Sequence, residues 1–290
     1  MEARMEGTAV AGGLFEVEEL GERLWRIGDA LGDLCYLVEG EREAALVDTL
    51  AGLGDVVSLA RGLVGEKKQL RVLLTHCHPD HVGGAYFARE CWVGSACAGA
   101  WNACERQGLE LVAGMADEAG VPFGPRDGVR PVVRRVAEGT SFDLGGRTLA
   151  AVELPGHTAD SVGYLCPELG ILFSGDAVTP IMCLCFPESL GLDGWLATLH
   201  KMEKLSFERF WTGHHRHDFT NADLASFEEA AAFARTDRGH SWHHMLVSDW
   251  EGTLHLCPCP TSDPDSCDFR AVITRGLPPV CTRQARRVRT

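Results

Sequence analysis

Leu74-Thr75-His76-Cys77-His78-Pro79-Asp80-His81-Val82-Gly83-Gly84 is the stretch that decides how this chain is read. It places three imidazoles and a carboxylate in the segment 76–81, and these are the donor types that suit zinc and related divalent ions. His76 and His78, one residue apart, can converge on one ion, while Asp80 and His81 point elsewhere and can serve a second. Pro79 and Gly83 favour a tight loop. The apolar run 70–74 has the length of a strand, and α/β folds place their sites at the carboxyl ends of such buried strands. Cys77 lies between two ligand-type histidines. Thiolate is a good zinc donor, but alternation along an extended segment turns Cys77 away from the ions.

Three further segments repeat the pattern of a strand followed by glycine and a metal-binding side chain. They are Leu154-Pro155-Gly156-His157-Thr158, Ser174-Gly175-Asp176 and Trp211-Thr212-Gly213-His214-His215. Any one of these residues alone would be an ordinary surface histidine or turn aspartate. Their joint occurrence in this order is what carries weight.

The ordered set HxHxDH, GH, GD and GH resembles the metallo-β-lactamase superfamily, over roughly 24–234. That resemblance implies an α/β (α+β) fold, a four-layer αββα sandwich with the metals at one edge of its two sheets. It implies His76, His78 and His157 on one ion, Asp80, His81 and His214 on the other, and Asp176 bridging both. Asp48, in Leu46-Val47-Asp48-Thr49, looks like the family's early aspartate, which supports the site without binding metal. The cofactor expected is a pair of divalent ions, Zn2+ first, with Mn2+ or Fe2+ as alternatives. Such a pair acidifies a shared water, and the bridging hydroxide would attack an ester, thioester or lactone carbonyl. Asp80 is the candidate catalytic group, orienting that hydroxide and carrying its proton. An aspartate at position 176 points to the glyoxalase II and lactonase-like branches rather than to true β-lactamases. The alternatives are a phosphodiesterase and a single-iron persulfide dioxygenase-type oxidoreductase; di-iron members carry a glutamate where His78 stands.

Around these motifs the hydrophobic pattern predicts strands at 24–27, 34–38 and 44–48, a helix at 55–64, and helices at 83–90 and 97–107 around a short strand at 91–93. The Gly/Pro-rich stretch 108–131 reads as an irregular insertion that shapes a substrate mouth. Strands follow at 132–136, 147–152, 162–165 and 171–174, then helices at 191–205 and 222–234. The metallo-β-lactamase-like domain is thus expected at 14–235, with a C-terminal extension of unknown role at 236–290. The apolar segment containing Pro180, Ile181, Met182, Leu184, Phe186 and Pro187 suits either a pocket lining or core packing.

Composition narrows the partners. With 41 acidic against 27 basic residues and a net charge of −14, the chain repels phosphate backbones, which argues against a nucleic-acid partner. Its one basic cluster, Arg283, Arg286, Arg287 and Arg289, is a short terminal run. No segment approaches the roughly 18 apolar residues of a membrane span, and MEARMEGTAVAGG lacks a signal-peptide core. A cytoplasmic protein acting on a small molecule is expected, with homo-oligomerisation left open. Twelve cysteines in a chain able to build its own core are expected to be reduced thiols. Cys257, Cys259, Cys267 and Cys281 do not match the paired spacing of structural zinc knuckles. His215 and His217 read as flanking rather than ligating groups, and His240, His243 and His244 as structural or surface ones.

Overall fold

The computed structural model describes residues 8–10, 13–119, 130–243 and 251–276. The chain begins with the meander β1 (Thr8–Val10), β2 (Phe15–Gly21), β3 (Leu24–Asp29), β4 (Leu34–Glu39) and β5 (Glu43–Val47), each strand antiparallel to the next. Helix α1 (Val56–Val64) then crosses to β6 (Gln69–Leu73), which runs parallel to β5. Asp55 caps α1 by accepting from the Ser58 N–H, and the helix stops at Gly65. After β6 come the single turn α2 (Pro79–Val82), a 3-10 segment at Gly83–Phe87, β7 (Glu90–Gly94), α3 (Ser95–Ala119) and β8 (Val132–Val136), which closes an eight-stranded sheet.

The second sheet starts with β9 (Ser141–Asp143), β10 (Thr148–Glu153), β11 (Val162–Cys166) and β12 (Ile171–Gly175), all antiparallel. The chain continues through β13 (Ile181–Leu184) and α4 (Gly191–Met202) to β14 (Arg209–Thr212), which joins β12 in parallel. Helix α5 (Leu224–Thr236) follows, then β15 (His240–His243), β16 (Glu251–Leu256) and β17 (Ala271–Thr274).

Strand alternation builds the layers. On β4, Leu34, Tyr36 and Val38 face the second sheet, where they meet Phe142, Leu149, Tyr164, Phe173 and Trp211. Cys35 and Leu37 face the other way, onto Val56, Val57 and Ala60 of α1. The outer face of the second sheet is covered by Trp195 and Leu199 of α4 and by Phe227 and Ala231 of α5. This is the expected helix-sheet-sheet-helix order.

Two expectations about secondary structure are corrected. The stretch 108–119 is not irregular: it continues α3, because Val112 and Ala116, one turn apart, pack on Ala51 and Leu53. The remainder of that predicted insertion, at 120–129, lies outside the described residues, as do His244, Cys281 and the terminal arginines. The segment 83–90 is not a full helix, but a short 3-10 piece ahead of β7. Strand β13 pairs with β17 in parallel and β17 with β16, so residues 251–276 complete a four-stranded sheet with a strand from the body of the chain. Met182 and Leu184 of β13 are core residues there.

The expectation of reduced thiols fails at one pair: Cys77 and Cys97 form a disulfide. Cys35, Cys91, Cys166, Cys183, Cys185, Cys257, Cys259 and Cys267 are free thiols.

Candidate metal centre

Every expected ligand lies just beyond the carboxyl end of a strand. His76, His78, Asp80 and His81 follow β6, His157 follows β10, Asp176 follows β12 and His214 follows β14. The loops are stitched together by the main chain. The Val162 N–H donates to the Thr75 carbonyl (2.8 Å), and the Leu34 N–H to that of Gly213 (2.7 Å). Two glycines let the loops close. A Cβ on Gly175, whose φ is +53°, would stand 2.4 Å from Thr75 Oγ1. One on Gly213 would stand 2.4 Å from His81 Cε1 and 2.6 Å from Asp176 Oδ1.

All seven side chains are brought together. Ligand atoms of His76, His78 and His157 lie within 4.8 Å of one another, as do those of Asp80, His81 and His214, and those of His76, His81 and Asp176. Asp176 thereby joins the two histidine groups. Its Oδ2 stands 3.0 Å from His214 Nε2 and 3.9 Å from His157 Nε2, and its Oδ1 lies 3.5 Å from His81 Nε2. Asp80 Oδ2 is 3.5 Å from His214 Nε2 and 3.9 Å from His81 Nε2, and Asp80 is the half-exposed member of the group.

The second nitrogen of each imidazole is taken by a partner that fixes which nitrogen faces the cluster. Asp48 Oδ2 accepts from His81 Nδ1 (2.9 Å) and from Thr75 Oγ1 (2.8 Å), while its Oδ1 accepts from the Thr75 N–H (2.7 Å). Because Thr75 Oγ1 spends its proton on Asp48, it accepts from His76 Nδ1 (3.1 Å). His157 Nδ1 donates to the Cys183 carbonyl (2.7 Å), His78 Nε2 to Glu188 Oε1 (2.8 Å), and His214 Nδ1 lies 3.4 Å from Asp33 Oδ1. Asp48 thus touches His81 and Thr75. Asp33, Thr75 and Glu188 were missed, because a lone aspartate, threonine or glutamate carries no motif.

These partners leave lone pairs aimed at a common space. His78 Nδ1 and His157 Nε2 face each other at 2.9 Å, both as acceptors when neutral. His76 Nε2, His81 Nε2 and Asp176 Oδ1 are buried with no hydrogen-bond partner. Buried polar atoms without partners are costly, and converging ones fit cations between them. Protonation follows the same division. Burial, helped by His78, pushes His157 down to about 4, and burial lowers His76 well below the usual imidazole range. Burial would also lower His81 and His214, but Asp176 and the other surrounding carboxylates carry both well above that range. Burial works against an anionic Asp176, yet His214 and His81 hold it well below the ordinary carboxylate value. His76 and His157 are therefore neutral imidazoles, while His81 and His214 are paired with the carboxylates of Asp176 and Asp80.

The Cys77 sulfur is bonded to Cys97 and stands apart from both histidine groups, as alternation required. The Phe186 ring lies 4.7 Å from that of His78 and 5.6 Å from that of His157, forming an apolar wall. His215 is buried against Thr179, and His217 bonds the Asp265 carbonyl, so neither joins the cluster. Cys257, Cys259 and Cys267 form no metal-type group among the described residues. A cavity of about 860 Å³ is lined by Ser189, Asp193, Arg238, His255 and Arg275 among others, and none of the clustered ligands borders it.

A family model described as the metallo-beta-lactamase superfamily matches residues 28–214. The chain is 29% identical over 109 residues to a hydroxyacylglutathione hydrolase of Hyphomonas neptunium, covering 38% of this chain and 34% of that one. It is 27% identical over 197 residues to an atrochrysone carboxyl ACP thioesterase of Aspergillus fumigatus, covering 67% and 39%. It is 31% identical over 183 residues to an acyl-coenzyme A thioesterase of Gallus gallus, covering 57% and 63%. The chain therefore spans between about a third and just under two thirds of these relatives' lengths. Among solved structures, a metallo-beta-lactamase from Pontibacter korlensis superposes with a TM-score of 0.55 at 19% identity, covering 75% of this chain and 99% of that one. A metallo-beta-lactamase family protein from Thermus thermophilus gives 0.51 at 22%, covering 71% and 78%. At these identities the structures speak for the fold alone.

Proposed function

The chain belongs to the metallo-β-lactamase superfamily, and from that premise we propose that it is a dinuclear, zinc-type hydrolase of a small thioester, with esters and lactones as related substrates. The observation that carries the reading is the set of converging ligand-type atoms: His78 Nδ1 against His157 Nε2, and His76 Nε2, His81 Nε2 and Asp176 Oδ1, each buried without a hydrogen-bond partner. His76, His78 and His157 would hold one ion, Asp80, His81 and His214 the other, and Asp176 would bridge. When bound, two divalent ions supply Lewis acidity and acidify water.

The chain's own residues then divide the work. Asp48, Thr75, Glu188 and the Cys183 carbonyl keep the imidazole lone pairs aimed inward. Asp80, half-exposed and anionic beside His81 and His214, is placed to orient a water and to take its proton toward the leaving group. Phe186 packs its ring against His78 and His157 and lends that side of the centre an apolar wall. Thioesters are favoured because two of the relatives are thioesterases and the third is named for hydroxyacylglutathione. Zinc suits the imidazole-rich donor set, with manganese or iron as alternatives.

A cytoplasmic location and a small-molecule partner complete the reading. Among the described residues no helix is long and apolar enough to cross a membrane. The test is metal-loaded protein assayed against thioester, lactone, phosphodiester and β-lactam panels, with metal counted on the same sample. Two metal equivalents and thioester turnover are expected. Turnover of phosphodiesters alone, or a single iron per chain, would overturn the reading.

A further inference from the structure

Cys77 occupies an unusual place, between the two histidines that open the ligand set and joined through its sulfur to Cys97. The main-chain hydrogen bonds of this segment run through Thr75, whose carbonyl accepts from Val162, and resume at the His78 carbonyl, which accepts from His81 and Val82. Between those points the segment is anchored through side chains. Cys97 stands in the first turn of α3, a 25-residue helix that packs on the outer face of the first sheet through Trp101. The bridge thus ties the histidine loop to a long, separately packed element. Both cysteines are buried, Cys77 at 8% exposure and Cys97 at 2%. The Asp160 carboxylate lies within 4.8 Å of both sulfurs, and its Oδ2 is buried without a partner. Helix α3, the ligand loop and the loop that carries His157 therefore meet at this bridge.

We propose that the Cys77–Cys97 bridge is an exchange site for small-molecule thiols, and that its reduction frees the His76–His78 loop and weakens the protein's hold on metal. The thiolate of a small thiol attacks the Cys77 sulfur, the less buried of the two, forming a mixed disulfide as Cys97 departs as a thiolate. A helix first turn stabilises such a thiolate. A second small thiol then attacks the mixed disulfide, releasing the Cys77 thiol and the small-molecule disulfide. Two electrons pass from two small thiols to the bridge, and two protein thiols result. Once freed, Cys77 no longer ties the loop to α3, and His76 and His78 sample orientations that do not converge with His157.

The second half of this proposal rests on the dinuclear reading, and its two arms are read separately. In the first, full-length protein is equilibrated with reduced and oxidised glutathione at graded ratios, quenched with an alkylating agent, and analysed by peptide mass spectrometry. Cys77 and Cys97 are expected to become alkylated together as the ratio turns reducing, while buried Cys35 and Cys91 stay unlabelled under native conditions. Alkylation of Cys77 and Cys97 at every ratio, or at none, overturns the exchange site. In the second arm, zinc-loaded protein is reduced with a phosphine, which spares zinc the competition of added thiol, and zinc release to a chromogenic chelator is timed. Release at least ten-fold faster from the reduced than from the bridged protein is expected, and equal rates overturn the coupling. Cys97→Ala should release zinc as the reduced wild type does and should no longer respond to phosphine. If that variant fails to fold, the wild-type comparison still decides. A protein that takes up no zinc in either state would refute the dinuclear reading and leave the alkylation result standing.

Discussion

Replacing Asp48 with asparagine isolates one chemical variable in the centre. Asp48 has a left-handed backbone, φ 64°, a conformation that asparagine also tolerates, so Asp48→Asn adds little backbone strain. The carboxylate accepts three bonds, from the Thr75 N–H at 2.7 Å, Thr75 Oγ1 at 2.8 Å and His81 Nδ1 at 2.9 Å. An amide keeps one acceptor. With its oxygen on the Thr75 N–H, its NH2 faces His81 Nδ1, which must then give up its proton and carry it on Nε2. That nitrogen faces Asp176 at 3.5 Å, and once protonated it has no lone pair for a metal. The alternative rotamer sets two N–H donors against each other at 2.7 Å. Loss of such an orienting partner costs roughly 10- to 100-fold in metal affinity, or about 1.4 to 2.7 kcal/mol. The His81 site should weaken most; His76 also depends on Asp48, through Thr75 Oγ1, whereas His157 and His78 take their orientation from Cys183 and Glu188. The assay is competitive titration of metal-free protein with zinc against a chelator that resolves two affinities. The site held by His81 should weaken by the stated factor, and the site shared by His76, two of whose three imidazoles keep their partners, by less. Two sites of unchanged affinity would refute the argument that Asp48 sets the His81 tautomer.

Three further outcomes follow from the geometry. Gly213→Ala forces a Cβ to within 2.4 Å of His81 and 2.6 Å of Asp176; it should cost about 1–3 kcal/mol and the zinc equivalent held by His81, and a melt with a metal count that matches wild type would contradict this. Glu188→Ala should weaken the His78 side of the centre, whereas Glu188→Gln, whose amide oxygen still accepts from His78 Nε2, should restore most of it. Equal affinities for the two variants would show that Glu188 does not orient His78. His215 is held down to about 4 by burial and by His214, so between pH 6.5 and 4 the unfolded chain takes a proton that the folded chain refuses. That contribution to stability is complete above pH 6.5 and is lost as pH falls toward 4. Metal-free His215→Gln should therefore show a smaller drop in Tm than wild type between pH 7.5 and 4.5. An equal drop would mean that His215 titrates normally in the fold.

The metal-type residues were legible because their chemistry is local. His76, His78, Asp80 and His81 share one loop, and His157, Asp176 and His214 each stand after a glycine at the end of a recognisable strand. Residue type and strand periodicity are enough to find such groups, and the layered α/β architecture follows from the same alternation that buries Leu34, Tyr36 and Val38 on one face and Cys35 and Leu37 on the other. What the tertiary structure decided is pairing across distance. Glu188 reaches His78 over 110 positions, Asp33 lies beside His214, and the strand Ile181–Leu184 finds its partner in Ala271–Thr274. No local pattern encodes those meetings, because each depends on where two loops land after the sheets have packed. The same reason explains the helix at 108–119, where burial of Val112 and Ala116 against Ala51 and Leu53 outweighs the weak local propensity of a glycine-bearing stretch. It also explains the Cys77–Cys97 bridge: twelve cysteines announce that pairing is available, but only the approach of Ser95–Ala119 to the histidine loop selects which two can meet.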